Sequence, residues 1–180
     1  ASRRAALIAV TVMSFAVPFM LSGVNIGLPA LGAEFSASAI TLTWVTTIYS
    51  LATAVLLLPC GKLADIHGRK RVFIIGVALY TVASALCALA PSSATLLAAR
   101  VVQGFGAAMI FATSTAILTS IYPASDRGRV LGINTAAVYL GLSAGPFLGG
   151  LIVGALGWRA VFWLNLPLTV LTLLFTLTQV

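Results

Sequence analysis

"GKLADIHGRKR", residues 61–71, is the stretch on which the reading of this chain turns. Six of the chain's fourteen ionisable side chains, its single histidine among them, fall in these eleven positions, and long apolar stretches flank them on both sides. Over all 180 residues, 61% are hydrophobic and 7% are charged, with a mean hydropathy of +1.13. A soluble domain of this size must solvate its surface, and this composition excludes one. The charged stretch therefore reads as a turn at a membrane face, joining two segments that cross the bilayer.

Outward from that turn, the apolar runs are about twenty residues or longer, which at about 1.5 Å per residue crosses a hydrocarbon core of about 30 Å. No period of two runs through them, so the spans are helices rather than barrel strands. The predicted fold class is an all-α membrane protein, one bundle of six transmembrane helices over residues 1–180, with spans at about 5–30, 40–60, 72–90, 95–121, 130–155 and 160–179. Placing the amino terminus in the cytoplasm collects Arg3, Arg4, Lys62, Arg69, Lys70, Arg71, Arg127 and Arg129 inside and leaves Arg159 outside. The positive-inside rule favours that orientation, and six spans then put both termini in the cytoplasm.

The formal charge of +7 sits at the ends of apolar segments and not along one helical face, so membrane orientation explains it and nucleic acid is not an expected partner. Cys60 and Cys87 have no metal-ligand spacing and read as reduced packing residues. His67 is a lone loop histidine, expected to be solvated. The first segment is too long for a removable signal peptide and lacks a small-residue cleavage pattern. The chain starts without Met and ends at Val180, on the sixth span, so flanking residues are expected.

The turn has a local physical logic. Gly61 is expected to let a neighbouring helix come close, Gly68 to permit a tight turn, and Asp65 to accept hydrogen bonds from a helix end or to pair with Arg69. The stretch resembles the signature loop of the major facilitator superfamily, matching at Gly61, Leu63, Ala64, Asp65, Gly68, Arg69 and Lys70 and departing at Ile66, where that family usually has Arg. "RVVQGFGAA", residues 100–108, resembles the family's fourth-span motif through Arg100, Gln103, Gly104 and Gly106. "GLSAGPFLGG", residues 141–150, resembles the fifth-span motif of its antiporters, with Gly141, Gly145, Pro146 and Gly149. "WRAVFWLNLP", residues 158–167, is similar to the sixth-span entry of drug exporters with fourteen spans, and the chain as a whole resembles their amino-terminal bundle.

The resemblance implies a transporter that exports amphipathic small molecules by alternating access from the cell's inner (plasma) membrane, with protons as the coupled ion and no cofactor. Asp65 and its loop are then a gating element, and Arg100, about 8 Å deep in the fourth span by helical rise, takes part in coupling on a face that lines the central cavity together with Gln103. Charge at that depth is costly and reads as functional. In the first span, "SGVNIGLPAL", residues 22–31, resembles the drug-exporter motif at Asn25, Leu28 and Pro29, but the family's acidic position falls on Met20. No carboxylate stands inside a predicted span, and the usual carboxylate proton relay is absent from this stretch. Asn25, Ser22, Tyr49, Gln103, Asn134 and Tyr139 are the candidate polar contacts of the cavity, about half of them expected to bond only within their own helices.

Gly141, Gly145 and Gly149 repeat every four residues, which permits close helix contact, and with Pro146 they are expected to seal the fifth span against a partner; packing inside one bundle is the plainer alternative. A membrane enzyme is disfavoured because no H-E-x-x-H, no G-x-S-x-G and no intramembrane carboxylate pair is present. A non-transporting membrane partner stays open. A second six-span bundle is expected, in a symmetric homodimer or in the remainder of a longer chain, with the homodimer slightly preferred.

Overall fold

A computed structural model describes residues 3–179 of the chain. Six helices account for nearly all of them: α1 (Arg3–Phe35), α2 (Ala39–His67), α3 (Arg69–Ala88), α4 (Ser93–Ile121), α5 (Ala124–Leu156) and α6 (Arg159–Gln179). All six are long and apolar enough to cross a membrane, and no strand occurs among the described residues.

The helices outrun the predicted spans. α1 continues to Phe35, α2 to His67, and α5 begins at Ala124. Backbone hydrogen bonding does not stop where the hydrocarbon does, so a helix runs on until a residue caps or breaks it. Ser38 and Ser92 cap α2 and α4 by accepting from Thr41 N and Thr95 N. Pro123 stands at the start of α5. Gly68, at φ +95°, is the single residue between α2 and α3, a conformation that a side chain would strain.

α1 packs mainly on α5, and α4 on both α2 and α3, with α6 against α3 and α1. Glycines set the spacing at the tightest crossings. A methyl group on Gly106 would lie 2.7 Å from Tyr80 N, and one on Gly104 would lie 2.6 Å from the Tyr49 carbonyl oxygen, so α3 and α2 both approach the α4 backbone directly. Gly141, Gly145 and Gly149 face Phe15, Ser22 and Gly23 of α1. The fifth-helix glycine stripe is thus spent inside the bundle and does not form the expected seal against a partner. Gly61 has nothing within 4 Å of the position a methyl would take, so the close neighbour expected there is not among the described helices.

α2 and α5 are the least covered helices, and α1 and α4 the most buried. One end of the bundle, hereafter the basic end, gathers Arg3, Arg4, the 61–71 turn, Arg127 and Arg129. At the other end Glu34 accepts from Trp158 Nε1 at 2.8 Å and from Arg159, and Arg159 also donates to the Ala90 carbonyl at 2.9 Å. One carboxylate and one guanidinium therefore tie the end of α1 and the α3–α4 turn to the start of α6.

Candidate functional site

On the uncovered side of the bundle, an apolar groove of about 340 Å³ lies between α1, α2, α4 and α5. Val17, Pro18 and Leu21 of α1 line one wall and Val138 and Leu142 of α5 continue it. Tyr49, Thr53 and Leu57, one helical turn apart, form the α2 wall with Ser50 and Ala54, and Phe111 comes from α4. The Thr53 hydroxyl is bonded to the carbonyls of Tyr49 and Gly104, at 2.8 and 3.2 Å. Its hydrogen is used within the protein, so this wall offers a ligand mostly hydrocarbon.

Of the residues expected to contact a ligand, the groove includes Tyr49 alone. Asn25 is exposed one turn beyond Leu21, on the same face of α1 and outside the groove. Asn134 is buried one turn before Val138 with its Oδ1 unpartnered. Tyr139 is exposed and does not line the groove, and Ser22 bonds to the Pro18 carbonyl of its own helix at 3.1 Å.

Arg100 and Gln103 do not line the groove. Both are fully enclosed between α2, α3 and α4. Arg100 Nε donates to the Val45 carbonyl at 3.0 Å and Nη1 to Gln103 Oε1 at 2.6 Å, while Gln103 Nε2 donates to Ser84 Oγ at 2.9 Å. The guanidinium also lies over the Tyr49 ring, 4.2 Å from its centre, an arrangement that stabilises a desolvated cation. The ring stands between the charge and the groove. Arg100 Nη2 and the Tyr49 and Tyr80 hydroxyls have no protein partner. The family resemblance implied that Arg100 faces the cavity; its polar company is instead supplied inside the bundle, by a carbonyl, an amide and an aromatic face.

At the basic end, Asp65 Oδ1 accepts from Arg69 Nη2 at 3.4 Å, and Arg69 Nη1 donates to the Ala116 carbonyl of α4 at 2.9 Å. Asp65 reaches Arg69, as one of its two expected partners, and Arg69 carries the link on to α4. Most of the Asp65 side chain stays exposed, at 67%, which leaves oxygen surface free for another partner.

The chain matches the description "Major Facilitator Superfamily" over residues 10–179. This chain belongs to that superfamily. Within it, the chain is 44% identical over 158 residues to the multidrug resistance protein Stp of Mycobacterium tuberculosis, covering 87% of this chain and 29% of Stp. It is 40% identical to the cephamycin export protein CmcT of Amycolatopsis lactamdurans, covering 91% of this chain and 34% of CmcT. The riboflavin transporter RibZ of Clostridioides difficile is 33% identical, at 82% and 32% coverage. The chain thus spans about a third of the length of these relatives. A solved structure of a bacterial homologue of the human lysosomal transporter Spinster, inward-facing and occupied, superposes with a TM-score of 0.85 at 22% identity, over 97% of this chain and 43% of that one. The superfamily is one of multi-pass membrane transporters of small molecules, not a class of enzymes, and the six-helix fold seen here is its fold.

Among the groove residues outside the quoted motifs are Val17, Leu21, Leu57, Phe111 and Val138. They are ordinary apolar residues in apolar spans, and only the i, i+4, i+8 spacing of Tyr49, Thr53 and Leu57 hinted at a shared face.

Proposed function

We propose that this chain forms one six-span half of an exporter that carries amphipathic small molecules across the inner (plasma) membrane by alternating access, with both chain ends in the cytoplasm. The observation that carries the reading is the groove beside Tyr49. It is of a size for a small organic molecule, its walls are apolar with few polar points, and it opens between α2 and α5, the two helices the rest of the bundle leaves uncovered. The likeness to Stp, a multidrug resistance protein, and to CmcT, a cephamycin export protein, supports drug or antibiotic export as the class of activity.

A groove open along one side needs an opposite wall. A second six-span bundle across α2 and α5 completes it, and rocking of one bundle against the other alternates access. The length of the relatives favours a second bundle within the same polypeptide; a symmetric homodimer is the other supply, and particle mass in detergent separates the two. The exposed oxygen of Asp65 and the open space at Gly61 then serve as the contact and the close approach for that second bundle.

Antiport, with protons entering as the drug leaves, rests on the fifth-helix motif and on Arg100. The three acids, Glu34, Asp65 and Asp126, stand at helix ends, which leaves Arg100 as the charge in mid-bundle whose surroundings a conformational change alters. The test is dye and drug efflux in efflux-deficient cells. Leu57→Trp, which narrows the groove, and Phe111→Ala, which widens it, should change export or its substrate range at equal expression. Identical efflux by the parent and both variants sinks the groove as the substrate path.

A further inference from the structure

Opposite the Tyr49 groove lies a second apolar furrow, confined to the basic end. Its floor is Ile8 and Val12 of α1. On one side it is walled by Leu171, Leu174 and Phe175 of α6, enclosing about 440 Å³, and on the other it continues to Ile133 of α5 as a recess of about 320 Å³. The Thr172 and Thr178 hydroxyls in the α6 wall donate to carbonyls of their own helix, at 2.8 Å to Leu168 and 3.0 Å to Leu174, so the surface is hydrocarbon. Thr11, in the recess, has a buried hydroxyl without a partner.

Two exposed arginines stand over this furrow. Arg4 precedes Ile8 by four residues on α1, and Arg129 precedes Ile133 by four on α5, which places each on the helical face of its furrow residue, one turn nearer the membrane surface. The two helix starts lie together: the Tyr122 hydroxyl donates to the Arg3 carbonyl at 2.9 Å, and Arg127 Nε donates to the Tyr122 carbonyl at 3.2 Å. Neither Arg4 nor Arg129 makes an ion pair among the described residues.

We propose that this furrow is a binding site for one anionic phospholipid of the leaflet at the basic end, its phosphate between Arg4 and Arg129 and one acyl chain lying along Ile8, Val12 and Phe175. Surrounding lipid is as apolar as the furrow, so chain burial alone confers little preference. Filling a void that would otherwise lack van der Waals partners does favour an ordered chain there. The choice among lipids comes from the headgroup, because guanidinium forks match phosphate oxygens and a net negative lipid leaves its charge uncancelled for them. A lipid ester carbonyl supplies the acceptor that the Thr11 hydroxyl lacks.

The test places a fluorophore in the furrow. Trp44 and Trp163 lie in the first turns of α2 and α6 and Trp158 in the α5–α6 turn, all at the opposite end of the bundle, so Ile8→Trp in the intact protein reports locally once their signal is subtracted. In mixed vesicles, phosphatidylglycerol with brominated chains should quench that residue at about a thirty-fold lower mole fraction than brominated phosphatidylcholine, as about 1 kcal/mol for each of the two arginines implies. Arg4→Gln with Arg129→Gln should remove the preference, Arg4→Lys with Arg129→Lys should keep most of it, and Lys70→Gln with Arg71→Gln at the same membrane face should leave it intact. Equal quenching by the two lipids overturns the site, as does a preference that survives the Gln pair or falls equally in the Lys70 and Arg71 variant. Absence of quenching by either lipid overturns it as well, since protein then covers the furrow.

Discussion

The Arg100 guanidinium rests on the face of the Tyr49 ring, 4.2 Å from its centre, so that one side chain of α2 both screens a buried cation on α4 and forms a wall of the groove. Anything in the groove that shifts the ring also changes the solvation of the charge behind it. Tyr49→Phe keeps the ring face and gives up only a hydroxyl that has no protein partner; it should leave thermal stability within about 1 kcal/mol of the parent. Tyr49→Ala opens a cavity and bares the cation, and should cost about 3 kcal/mol. Unfolding of the two variants in detergent, compared side by side, checks the difference.

Arg100 uses two nitrogens of its fork, one on the Val45 carbonyl and one on Gln103. A lysine has the charge without the fork, so Arg100→Lys should lose at least one of these bonds, at about 1.5–3 kcal/mol for a charged hydrogen bond. Transport should fall by about ten-fold or more. Full export and an unchanged melting temperature in the Lys variant would show that a point charge suffices.

Gly106→Ala sets a methyl 2.7 Å from Tyr80 N and 2.9 Å from its Cα. Backbone cannot rotate away as a side chain does, and the α3–α4 crossing should loosen at a cost of about 1–3 kcal/mol. Gly154→Ala, which meets nothing within 4 Å, is the matched control and should be neutral or slightly stabilising. Chemical unfolding of the pair in mixed micelles reads the contrast.

Asp65→Asn breaks a long, largely exposed ion pair, which should change bundle stability by less than about 1 kcal/mol. Arg69→Gln also loses the bond to the Ala116 carbonyl and should cost more. If Asp65 gates, its Asn variant slows transport in proteoliposomes at near-normal expression. Unchanged rates there would remove the gating role.

At the opposite end, Glu34→Ala releases both Trp158 and Arg159, while Arg159 keeps its bond to the Ala90 carbonyl. The half-exposed position limits the loss to about 1 kcal/mol. Hydrogen exchange should rise at the ends of α1 and α6 and stay unchanged at the basic end; a uniform rise across the bundle would contradict a local tie.

The sequence by itself determined the six helices, because in hydrocarbon every backbone group must be satisfied within its own segment and only uninterrupted apolar runs do this. It also determined the short α2–α3 turn, since Gly68 adopts a positive φ open to glycine; of the two partners it left open for Asp65, that turn selects Arg69 by setting the start of α3 beside the end of α2. The family motifs were legible for the same reason: they are local in sequence. Which way each helix faces was decided only by the tertiary structure. In a soluble protein the polar face points outward, but lipid is as apolar as the core, so a leucine toward lipid, groove or neighbour leaves the same signal. Hence the glycine stripe of α5 turned toward α1 and not toward a partner, Gln103 and Arg100 closed in behind Tyr49, and Tyr139 stayed outside the groove lining. Glu34 and Trp158, 124 positions apart, met only because α1 ends and α6 begins at the same end of the bundle, a fact of packing that no local pattern encodes.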